Sequence, residues 1–141
     1  MPIQYGQWLI PDQLIYARAY GNVSREQLEA HNAKLIELLE HVSGPVYIIL
    51  DASEIGQVSS NLPETQRILT FRHHESLEWI LHITRNRLIM SLANVMARLT
   101  RANFRHFSTL DEAILFLHDQ APELDWNAFD DAIIPQPNRV T

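Results

Sequence analysis

The stretch that decides the fold is Tyr47–Asn61, YIILDASEIGQVSSN. Together with Val46 it opens on an apolar run, Val46–Leu50, with no polar alternation. A strand that is apolar on both sides suits the middle of a sheet covered by helices on two faces. The run then meets Asp51, a polar segment, and Ser59-Ser60-Asn61 just before Leu62-Pro63. Pro in a first helical turn is harmless because that N–H has no partner anyway. The expectation is therefore a central strand ending at Leu50, an accessible loop from Asp51 to Asn61, and a helix from about Leu62.

Working outward, Leu14–Tyr20 (LIYARAY) alternates Leu14, Tyr16, Arg18, Tyr20 against Ile15, Ala17, Ala19, which predicts a strand. A shorter strand precedes it, turned back at Pro11-Asp12, and Gly21-Asn22 is expected to end it. Ser24 and Gln27 form a capping box for a helix whose apolar positions are Leu28, Leu35, Ile36 and Leu39. Ser43-Gly44-Pro45 stops that helix. Downstream come a strand at Trp79–Thr84, a helix marked by Leu88, Leu92, Val95, Met96 and Leu99, a strand at Phe104–Phe107, and a helix capped at Thr109. The predicted order β-β-α-β-α-β-α-β-α is an α/β fold: a mostly parallel sheet of about five strands with helices packed around it, and an antiparallel N-terminal hairpin strand.

The composition narrows function by exclusion. The chain has 141 residues, one domain's worth, with 46% apolar and 20% charged residues and no cysteine, so disulfide and thiol chemistry are absent. Net charge is −6, which offers no general attraction to nucleic acid or anionic lipid. No apolar run approaches the roughly 20 residues of a membrane helix, and the N-terminus carries no signal-peptide pattern, so a cytoplasmic protein without membrane insertion is expected. Residues 1–120 are expected to form the domain. Residues 121–141 carry Trp126, Phe129, Ile133 and Ile134 and are expected to pack on the body or on a neighbouring subunit. A homodimer is expected because two-fold dimers are the commonest assembly.

Three motifs together resemble the STAS domain family, the anti-sigma-factor antagonists and their small stand-alone bacterial relatives. They are LIYARAYGNVSREQL, VYIILDASEIG and RHFSTLDEAILFL, within Leu14–Leu117. The resemblance implies a non-enzymatic regulatory module that meets a protein partner and needs no cofactor. In that family an Asp-Ser-Ser-Gly segment at the second helix carries a phosphorylatable serine. Counting from Asp51 sets Ser60 on that position, with Ser59, Asn61 and Leu62 as departures from the pattern. Ser59 and Ser60 are thus phospho-switch candidates; Ser60 or Asn61 could equally serve as a helix cap. Asp51 either lines a ligand site at a strand end or bonds the next turn, and Ser53 and Glu54 share that ambiguity.

Other clusters carry weaker chemistry. Among seven histidines, His73-His74 invite a metal reading, but adjacent side chains diverge and no His-x-x-x-His pair joins them. No Gly-x-Ser-x-Gly elbow marks a nucleophile. Arg85 and Arg87 precede a helix where an anion could sit. The apolar stripe Leu88–Leu99 reads first as core. Within the family, helices can pack loosely enough to admit a lipid-like ligand, so the alternative is a small carrier or sensor of an apolar or anionic molecule held near Arg85–Leu99.

Overall fold

The computed structural model describes residues 3–134 except Ser59. Its elements are β1 (Ile3–Ile10), β2 (Leu14–Val23), α1 (Arg25–Glu40), β3 (Val46–Val58), α2 (Leu62–Ile68), β4 (Leu77–Ile83), α3 (Arg87–Ala97), β5 (Asn103–Phe107) and α4 (Leu110–Gln120). Short 3-10 turns follow α2 and α4. The five strands lie in the order β1-β2-β3-β4-β5. Only β1 is antiparallel to its neighbour. This is the predicted α/β sheet with β3 at its centre.

Local chemistry accounts for the element ends. Ser24 accepts from Gln27 N at 3.2 Å while Gln27 Oε1 accepts from Ser24 N at 2.7 Å, closing the capping box of α1. Thr109 accepts from Glu112 N and starts α4. Asp12, at φ 65°, turns the N-terminal hairpin in the left-handed region that Asp tolerates better than most residues.

The pleat sends alternate side chains to two different cores. On one face Leu14, Tyr16, Ile49, Leu81, Ile83 and Phe107 pack against α4. The segment after α4 closes this layer: Leu124 and Ile134 are buried in it, Asp130 N donates to Leu9 O at 2.8 Å, and Gln4 Nε2 donates to Ile133 O at 2.7 Å. On the other face Ile15, Ile48 and Ile80 pack against Leu35 and Leu39 of α1 and against Phe71. Among the described residues no helix is long and apolar enough to cross a membrane.

Two expectations need correction. Gly21-Asn22 does not end β2. Gly21 takes φ 63°, the left-handed region open to glycine, and the strand passes through a register shift and runs on to Val23. Its partner follows: β3 does not end at Leu50 but continues to Val58, pairing Gly21 with Ile55 and Val23 with Val58. The expected accessible loop is therefore mostly strand, and Asp51 is only 2% exposed.

Candidate functional site

A cavity of about 600 Å³ opens between the sheet and helices α1, α2 and α3. That volume falls within the roughly 300–1,000 Å³ of small-molecule sites. The sequence makes the room in two ways. The sheet floor uses small side chains, Ala17, Ala19 and Ala52, where larger ones would fill the gap. The roof is short: α2 has 7 residues before Leu69 leaves helical geometry, so it covers only part of the sheet. Leu28 of α1, Leu69 after α2, and Ile89, Leu92 and Met96 of α3 supply apolar walls.

One side chain ties the roof together. Arg72 is buried, and its guanidinium donates to Leu69 O at 3.0 Å, Gln66 O at 3.2 Å, Met96 O at 3.3 Å and Thr100 Oγ1 at 3.1 Å. It thus joins the C-terminal ends of α2 and α3, where helix carbonyls lack intrahelical partners and the dipole favours a cation.

Two buried imidazoles stand among the lining residues. His31, on α1, is 9% exposed, and its Nδ1 is buried without a partner. Burial lowers its pKa to about 4. His82, on β4, is 8% exposed. Burial lowers its pKa to about 3, the neighbouring His106 adds to the lowering, and Asp51 opposes it. Both rings are therefore neutral near pH 7. His82 Nδ1 lies 3.1 Å from His106 Nδ1, and His106 Nε2 lies 2.8 Å from Asn94 Oδ1 on α3.

The residues singled out in the sequence do not gather at one point. Asp51 Oδ2 accepts from Tyr16 OH at 2.7 Å, and its Oδ1 accepts from Ser53 N at 3.1 Å and Ser53 Oγ at 2.6 Å. That is a local turn bond within β3. Glu54 pairs with Arg18 at 2.5 Å. Ser60 lines the cavity mouth, its Oγ 2.6 Å from Thr65 Oγ1. Asn61 is the cap of α2, accepting from Glu64 N at 2.9 Å. Ser59 lies outside the described residues. Arg85 and Arg87 are exposed at the start of α3. His73 is exposed, and His74 Nδ1 accepts from Ser76 N at 3.1 Å. No group of three or more metal-binding side chains occurs among the described residues.

The apolar stripe of α3 is split rather than core. Leu88, Ile89, Leu92 and Met96 border the cavity, Leu88 at its exposed rim, while Leu99 is 60% exposed away from it. His31 and His82 were the residues that sequence reasoning passed over. A signal existed: His31 falls on the apolar side of α1 with Leu28, Leu35 and Leu39, and His82 interrupts the apolar strand Trp79–Ile83.

Comparison with solved structures finds an uncharacterised protein of the DUF3478 family from Shewanella loihica PV-4, described as having a SpoIIAA-like fold. The match covers 82% of this chain and 93% of that one, with a TM-score of 0.63 and 19% identity. This chain shares that fold. The SpoIIAA-like arrangement is the one the sequence motifs resemble, and at this identity the likeness speaks for the fold alone. No protein-family model and no curated protein matches the chain.

Proposed function

We propose that the protein binds a small apolar molecule in the cavity between its sheet and α1–α3, acting as a carrier or sensor without chemistry of its own. The observation that supports this is the apolar-walled space of about 600 Å³ beneath α3. An environment-sensitive dye such as N-phenylnaphthylamine is expected to brighten on binding. The variant Leu92→Trp, which fills the space from α3, is expected to lose that signal while remaining folded by circular dichroism. Equal dye binding by the filled variant would place the dye elsewhere and remove the reading. Mass spectrometry of denatured extracts, from protein taken from its native cells, would then identify the occupant.

The outward side of α3 favours a second reading, a regulatory module that meets a protein partner. Leu88 and Val95 on α3, and Leu99 in the turn just after it, stand exposed near Arg98. In that reading phosphorylation of Ser60 is the input, since it would replace the 2.6 Å bond to Thr65 and set a charge at the cavity mouth. Intact mass of native protein tests the modification. A partner that still binds Leu88→Ser with Leu99→Ser unchanged would rule this face out.

A further inference from the structure

The cavity's polar chemistry narrows the class of molecule it takes, an inference that rests on the cavity being a ligand site. Two charged residues, Arg18 and Asp51, border the cavity, and both send their side chains to the other side of the sheet. In a pleated strand, neighbours alternate faces. Ala17, Ala19, Leu50 and Ala52 therefore face the helices, while Arg18 and Asp51 face away. There Arg18 is neutralised by Glu54 and Asp51 takes the Tyr16 hydroxyl. Beside Gln57 and the mutually bonded hydroxyls of Ser60 and Thr65, what remains inside is a pair of uncharged rings, His31 and His82.

Hydrogen bonding sets the tautomer of His82. Asn94 presents its carbonyl oxygen to His106 Nε2 at 2.8 Å, so that nitrogen carries the proton. In a neutral ring His106 Nδ1 is then an acceptor, and the 3.1 Å contact requires His82 Nδ1–H to donate to it. The proton of His82 is thereby used on Nδ1. Its Nε2 is left as a lone pair with no donor among the described residues, on a ring 8% exposed at the cavity wall. An acceptor reachable from the cavity, on an otherwise buried ring, gains from a molecule that brings it a donor. His31 adds a buried Nδ1 without a partner.

We propose that the cavity selects a neutral molecule with an apolar body and a hydroxyl, of which a long-chain alcohol is the simplest, and that the hydroxyl donates to His82 Nε2. A carboxylate has no proton to offer that nitrogen, and the cation that borders the space, Arg18, is already paired with Glu54. An ether of the same shape can accept but cannot donate.

The test uses three matched probes, decanol, its methyl ether and decanoate, each titrated against the dye-loaded protein at neutral pH. Decanol is expected to displace the dye at about tenfold lower concentration than the ether, the scale of one net hydrogen bond. Decanoate is expected to be weakest. In His82→Leu the alcohol's advantage over the ether should vanish while the ether still binds. Equal displacement by alcohol and ether, or tightest displacement by decanoate, overturns the hydroxyl selection and leaves the cavity reading standing. No displacement by any probe overturns both. A second measurement does not depend on a variant folding. Nitrogen NMR of the wild-type imidazoles should show His82 Nε2 unprotonated and Nδ1 protonated; the reverse assignment overturns the proposal.

Discussion

Replacing His31 with Leu should make the protein more stable, and more so as the solution is acidified. The reason is the isolation of the ring. His31 is buried against Phe71, at 6.1 Å between ring centroids and edge-on, and its Nδ1 has no partner. A buried unsatisfied polar group costs about 1–3 kcal/mol, and Leu removes it with similar bulk. The pH dependence follows from linkage. The unfolded chain takes up a proton on this ring near 6.5, whereas the folded one resists until about 4. Between those values the unfolded state holds more protons, so stability falls as pH falls, and no further loss from this ring occurs below about 4. Integrating from pH 7 to pH 5 assigns roughly 2 kcal/mol of lost stability to His31 alone. His82 adds a loss of the same sign that persists in the variant, because its pKa is also lowered, to about 3.

Urea unfolding followed by tryptophan fluorescence, at pH 7 and again at pH 5, measures both effects. His31→Leu should raise the midpoint at pH 7 and shrink the gap between the two pH values by about 2 kcal/mol. A variant less stable than wild type at pH 7, or one with an unchanged gap, would show that His31 has an internal partner or is already solvated.

Further outcomes test the scaffold. Arg72→Met deletes a buried cation bonded to Leu69, Gln66, Met96 and Thr100; it should cost about 3 kcal/mol in urea unfolding and speed amide exchange in α2 and α3, and a loss below about 1 kcal/mol would contradict the clamp. Gly6→Ala sets a methyl 2.8 Å from Leu35 Cδ2 and 3.2 Å from Ile15 Cγ2; thermal melts should register about 1–3 kcal/mol of destabilisation, and a neutral result would mean that α1 slides away freely. Tyr16→Phe removes the hydroxyl donated to Asp51 at 2.7 Å and should cost about 1–3 kcal/mol; an unchanged urea midpoint would show that Asp51 is satisfied without it.

Much of the architecture was legible because it is written in short-range chemistry. The two-sided apolar run Val46–Leu50 can only be comfortable inside a sheet, and Ser24 with Gln27 announces a helix start within four residues. Gly21-Asn22 and Asp51 misled for one shared reason. Each is locally a strand breaker, yet parallel pairing between β2 and β3 supplies partners to both and carries the strands onward to Val23 and Val58. Long-range pairing overrode local preference. The α3 stripe shows a different limit. Its spacing establishes that an apolar side exists, but not that Leu99 would be left outside while Leu92 and Met96 border a space. Empty volume is a relation between elements distant in sequence, and no spacing rule encodes it. The same holds for His82, whose neighbours His106 and Asn94 become meaningful only when β5 and α3 are set against β4.

The cavity and its two imidazoles are difficult to understand as scaffold. If about 600 Å³ were sealed and dry, the penalty at about 24 cal/mol per Å³ would approach 14 kcal/mol, as large as the whole stability of a typical domain. The space must therefore admit solvent or an occupant. Water would be held weakly, since each molecule wants two to four polar partners and most of the lining around His31 and His82 is hydrocarbon. Poorly held water is the kind that an apolar molecule displaces with gain. The histidines sharpen the point: Leu at either position would suit an apolar wall better and would relieve the acid sensitivity derived above. A fold that keeps small alanines on its sheet floor, and two neutral imidazoles where hydrocarbon would be more stable, gives up stability at this cavity. That pattern is the one expected of a binding site, where groups left unsatisfied in the free protein are satisfied by what enters.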